Sequence, residues 1–156
     1  MSLADAEGGR MENALDHQDR RLAYAFLRMI AGLNLMMHGV SRLLAGPTIF
    51  AEKVTTQFAH TSLPAGSVWA FAMSLPAIEA LLGLLLLIGL RTRAALVAAS
   101  ILIMVLTFGS SLAQNWPVTG LQLTYALVYA ALLFLRRYNG WSLDSCLERD
   151  RHRNES

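Results

Sequence analysis

Few side chains in this 156-residue chain can do chemistry, and most of them are polar groups set inside apolar runs. Glu79 is the sole charge between Ser67 and Leu90. A carboxylate in such surroundings takes up a proton or finds a cation. Asn34, His38 and Arg42 recur at spacings of four, so they share one helical face. Arg28 lies on the same run, two to three turns earlier. Gln122 and Tyr125 are three apart, and Tyr129 follows one turn later. A carboxylate among such groups suits proton handling or ligand binding. Glu79 and His38 are therefore the candidate catalytic groups. Arg28, Asn34, Arg42, Gln122 and Tyr125 are the candidate ligand-binding groups.

Other chemistries are excluded. The single cysteine, Cys146, allows neither an internal disulfide nor a Cys-x-x-Cys pair nor a cysteine-based zinc site. His38 and His60 stand at an unrelated spacing, so no metal site is assigned. There is no convincing bis-His haem set and no glycine-rich flavin loop. If redox chemistry occurs, a partner must deliver the electrons.

The elements that position these groups follow from charge distribution. Hydrophobic residues make up 54% of the chain and charged residues 15%, with mean hydropathy +0.42. Soluble domains average about 45–50% and 25%. The shortage is patchy: the 42 residues from Ala94 to Leu135 carry no Asp, Glu, Lys or Arg. A membrane-spanning helix needs about 20 apolar residues, so that stretch holds two. This excludes a soluble enzyme and a disordered chain. The net charge of +2 does not signal a nucleic-acid partner, because the basic residues flank apolar runs.

Four spans are expected, at about Leu22–Ala45, Ser67–Leu90, Ala94–Ala113 and Pro117–Leu135. Gly46-Pro47, Arg91-Thr92-Arg93, Gln114-Asn115-Trp116-Pro117 and Arg136-Arg137 end or separate them. The runs are Leu- and Ala-rich without alternation, which favours helices over barrel strands. Short links make neighbours antiparallel. The expected fold is all-α: an integral membrane four-helix up-down-up-down bundle over residues 21–137. Residues 1–20 read as a flexible tail with room for a helical piece near Met11–Leu15 and without a signal peptide, and 138–156 as a polar tail.

Ten of the 13 basic residues fall on one side, and only Arg42 and Lys53 on the other. Both termini are thus expected in the cytoplasm, in a bacterial inner membrane. Trp69 and Trp116 then anchor the outer interface, and Tyr138 and Trp141 the inner one. In the outer loop, Phe50, Val54 and Phe58 recur every four residues with Glu52, Lys53 and Gln57 between them, which predicts a short amphipathic helix. From the cytoplasmic end, helix rise places Arg28 roughly 9 Å deep, Glu79 roughly 16 Å and His38 roughly 24 Å. Arg28 is then the obvious cation for Glu79, as a structural ion pair or as part of a site. Gly32, Gly39, Gly83 and Gly89 read as close-contact points between helices.

Several segments resemble the DoxX-like family of small four-helix bacterial membrane proteins. They are His38-Gly39 with Arg42, Phe50-Ala51, Leu63-Pro64, Glu79 followed by Gly83 through Arg93, and Trp141-Ser142-Leu143-Asp144. The resemblance runs from about Leu22 to Asp144. It implies the four-helix fold and an association with quinone-linked oxidoreductases of sulfur compounds. Quinone is the cofactor it suggests, with no covalently bound group. His38, Gln122 and Tyr125 would then donate to quinone carbonyls and Glu79 would relay protons. The partners expected are the lipid bilayer and an oxidoreductase protein, with no nucleic acid; a homo-oligomer is compatible. Two other functions stand beside this one: a non-catalytic anchor or assembly factor, and a carrier of a small lipophilic molecule. The second is weakened by the lack of an inverted repeat.

Overall fold

The computed structural model describes residues 3–154, without the side chains of 3–14, 148, 149, 151, 152 and 154. Six α-helices follow in order: α1 (Leu3–Ala45), α2 (Pro47–Gln57), α3 (Ala65–Ile88), α4 (Thr92–Leu112), α5 (Trp116–Phe134) and α6 (Leu143–Asn154). A short 3-10 turn, Arg136–Tyr138, follows α5. No strand occurs among the described residues.

Three helices, α3, α4 and α5, are long and apolar enough to cross a membrane. Their bounds fall within two residues of those expected. The first helix is not among the three, because Arg28, Asn34, His38 and Arg42 dilute its apolar half. It also starts at Leu3 rather than Leu22, so the segment read as a flexible tail is helical from its third residue. That segment is rich in Ala, Leu, Glu and Arg, which favour helix, and Gly8-Gly9 does not interrupt it. Near its end Arg20 pairs with Asp16 one turn earlier, at 2.8 Å. The second polar tail is ordered as well, as the 3-10 turn and α6.

Glycines let α1 and α3 pack backbone to backbone. A Cβ built on Gly32 of α1 would lie 2.6 Å from the backbone nitrogen of Leu87 in α3. Gly39 meets the backbone of Pro76 and Ala80, and Gly83 meets that of Met36. Contacts that move down α3 as they move up α1 make the pair antiparallel. Small residues let backbones touch where apolar packing alone gives little preference. The fourth glycine differs: Gly89 is the left-handed cap of α3, at φ 71°.

The α4–α5 pair is a hairpin, turned by Gln114 at φ 54° and stitched by Ser110 to Thr119. Leu86, Leu96, Ala99, Ile103 and Leu132 fill the core between α3, α4 and α5, with Tyr24 and Leu35 from α1. The loop helix is present as expected. Phe50, Val54 and Phe58 are half-buried, while Glu52, Lys53 and Gln57 are exposed. Ala51 is fully buried where α2 rests on α3. Phe58 reaches across to Gly109 of α4.

Candidate functional site

The helix register decides which cation meets Glu79. Because Gly39 lies level with Pro76 and Ala80, the next turn of α1 carries Arg42 to Glu79. The Arg42 Nη1 donates to Glu79 Oε2 at 2.5 Å. Glu79 is buried, and Arg42 is about one-quarter to one-third open. The Arg42 guanidinium also stacks on the Phe50 ring, 4.6 Å from its centroid. Thus α2 covers the outer side of the ion pair, and cation–π attraction holds the guanidinium in place.

Arg28 is not the partner of Glu79, and that expectation is corrected. Arg28 lies level with the end of α3, where it donates to the Leu86 carbonyl at 3.0 Å and the Trp141 carbonyl at 2.7 Å. It is 2% exposed, and it fills the space that a side chain at Gly89 would need. The cause of the error is plain. Depths were counted from Leu22, but it is Arg28 that lies level with the end of α3, which leaves Arg42, one turn past Gly39, to meet Glu79.

The Trp141-Ser142-Leu143-Asp144 stretch explains itself at the same place. Asp144 accepts from the backbone nitrogens of Arg91 at 2.6 Å and Thr92 at 2.7 Å. A carboxylate there caps the first turn of α4 and complements its dipole. The Asp144 nitrogen returns a bond to the Gly89 carbonyl at 3.1 Å. These contacts, with Arg28, tie α1, α3, α4 and the C-terminal segment into one knot. Tyr138 is buried there. Its hydroxyl accepts from Arg20 at 3.2 Å, which lowers its pKa.

Six of the seven candidate residues converge on one cavity of about 120 Å³. Asn34, His38 and Arg42 line it from α1, Glu79 from α3, and Gln122 and Tyr125 from α5. Ala99, Leu102, Ile103 and Leu106 of α4 form an apolar floor. Tyr129 is a wall residue that the sequence reading left out of the site. It is buried and interacts electrostatically with Glu79 and Tyr125. Its place one turn after Tyr125 was the available signal. Asn34 and His38 are exposed at the rim on α1, facing exposed Val118 and Leu121 on α5.

Gln122 is held by α4. Ser110 Oγ donates to Gln122 Oε1 at 2.6 Å, and Thr119 Oγ1 lies 2.9 Å from Ser110 Oγ. With its carbonyl taken, Gln122 keeps its amide nitrogen as a donor beside the cavity. Ser110 and Thr119 thus orient a wall of the site. Among the described residues no group of three His, Cys, Asp or Glu is placed to hold a metal.

Chemically, the arrangement is a buried carboxylate–guanidinium pair in an apolar pocket, with amide, imidazole and phenol groups around it. With three membrane-capable helices, this defines a small helical membrane protein whose bundle holds a buried ion pair beside a largely apolar pocket. Comparison with protein families names it more closely. The DoxX family model matches residues 23–112, more than half of the chain, and the protein belongs to that family. The match spans α1 through α4 and includes Glu79, His38 and Arg42; Gln122, Tyr125 and the Asp144 cap lie beyond it. No curated protein and no solved structure matches the chain.

Proposed function

We propose that this DoxX protein is the membrane subunit of a quinone-linked oxidoreductase system, acting on sulfur compounds or related redox stress. In this reading α1, α3, α4 and α5 all cross a bacterial inner membrane, up-down-up-down, with both termini in the cytoplasm. The excess of arginine at one end supports that orientation.

One observation carries the reading: the buried Glu79–Arg42 pair opens onto a cavity of about 120 Å³ that also holds an amide donor and a phenol. That volume suits a single ring, since an engineered cavity of about 150 Å³ takes benzene. Exposed Asn34, His38, Val118 and Leu121 would let a lipid-soluble ring enter sideways between α1 and α5. Gln122 and Tyr125 donate to one carbonyl and His38 to the other. Glu79, tuned by Arg42, passes the proton. Electrons arrive from a partner oxidoreductase.

The test is ligand-dependent stability of purified protein. A short-chain quinone is expected to raise the melting temperature of the wild type. The Gln122→Leu/Tyr125→Phe variant should keep its fold and lose most of that rise. Equal rises in both would refute quinone binding here.

A second reading has its own observation. The Arg42–Glu79 ion pair joins α1 to α3, as a non-catalytic anchor or assembly factor would need. In that case Glu79 substitutions lower yield and stability but leave ligand binding and membrane quinone reduction unchanged.

A further inference from the structure

A second groove lies at the other end of the bundle from the Glu79 cavity. It encloses about 1450 Å³ between the end of α3, the start of α4, the 3-10 turn and α6. Arg91, Arg93, Arg136 and Arg137 all line it, and all four are exposed. The ion pairs among the described residues use Arg20 and Arg42, and none of these four. Among the described residues the carboxylate that lines the groove is Asp144, which already accepts from two backbone nitrogens. Among the described residues the lining of the groove is therefore strongly positive.

Its walls say what kind of anion. Val97 and Ile101 lie one turn apart on α4, 40% and 55% exposed. They lead from the arginines along a helix apolar enough to cross a membrane. A soluble anion has no use for that track. A molecule with a charged head and a hydrocarbon chain uses both parts.

We infer that the groove binds an anionic glycerophospholipid, with its phosphate among Arg91, Arg93, Arg136 and Arg137 and an acyl chain along Val97 and Ile101. Guanidinium groups match phosphate oxygens in pairs, and basic pockets between membrane helices favour such headgroups. The site joins the α3–α4 link to the turn after α5, so a bound lipid braces both hairpins. The inference is independent of the quinone reading and rests only on the membrane placement of α4.

Native mass spectrometry of the detergent-purified full chain tests it, with phosphatidylglycerol and phosphatidylcholine as probes. The wild type should retain phosphatidylglycerol at least tenfold better. The Arg136→Gln/Arg137→Gln variant should lose about tenfold in that retention. Arg20→Gln/Arg21→Gln removes equal charge from the same end but outside the groove, and should lose little. Equal losses in both variants mean diffuse surface attraction and overturn the site. Inorganic phosphate in millimolar excess should not displace the lipid; full displacement would make this a simple anion site and also overturn the inference. Should a variant fold poorly, wild-type protein decides the matter. A photoactivatable phosphatidylglycerol should crosslink to the Leu85–Ile101 region, and labelling confined to α1 or α5 would refute the placement.

Discussion

The Arg42–Glu79 pair permits a quantitative test against the alternative cation, Arg28. Two unit charges about 4 Å apart attract by about 4 kcal/mol at an effective dielectric constant of 20. Arg42 is 29% exposed, so solvent screens part of this, and a coupling energy of about 2 kcal/mol is expected. The single substitutions should be unequal. Glu79→Gln leaves Arg42 free to turn toward water and should cost about 1–2 kcal/mol. Arg42→Gln strands a buried carboxylate and should cost about 3 kcal/mol. The assay is thermal or denaturant unfolding in one detergent, across the two singles and the double. The Arg28→Gln/Glu79→Gln cycle serves as control. It should be additive within about 0.5 kcal/mol, because Arg28 binds carbonyls of Leu86 and Trp141 instead. Coupling in the Arg28 cycle that equals or exceeds the Arg42 cycle would refute the register on which the site depends.

Three further outcomes are checkable. Gly83→Ala forces a methyl group against the Met36 backbone and should cost about 3 kcal/mol in unfolding, whereas Gly120→Ala, with open space around it, should cost little. Asp144→Ala uncaps α4 and should cost about 2 kcal/mol; hydrogen exchange at Arg91 and Thr92 should quicken, and unchanged exchange would remove the capping role. Arg20→Gln should move the Tyr138 phenol upward toward its ordinary value, as read by phenolate absorbance. Because the folded value is the lower one, Tyr138 adds stability that is present above the unfolded value of about 10 and is lost as pH falls through the folded value.

The sequence made α3, α4 and α5 legible because an uninterrupted apolar run has only one good answer in a membrane. The loop helix was legible for a similar reason, as Phe50, Val54 and Phe58 recur at a helical interval. Most of the pocket was legible too, since polar residues inside apolar helices have few places to go. The Glu79 partner was not. Pairing depends on how two helices slide past each other, and here that is set by Gly32, Gly39 and Gly83, whose contacts cannot be read along one chain. Asp144 was illegible for a different reason. Its carboxylate caps a helix more than fifty residues earlier, and no local pattern marks such a debt. The start of α1 was illegible because the hydropathy change at Leu22 marks where the helix turns apolar, not where it begins.

The Asp144 cap also sets an order of events. Ribosomes deliver the chain from its N-terminus, so α3 and α4 emerge while the start of α4 still lacks its acceptor. Arg28 can reach the Leu86 carbonyl by then, but the Trp141 carbonyl has not been made. The arginine-rich end therefore closes last, after α5 is in place, and the C-terminal segment acts as the latch on a bundle that is otherwise assembled.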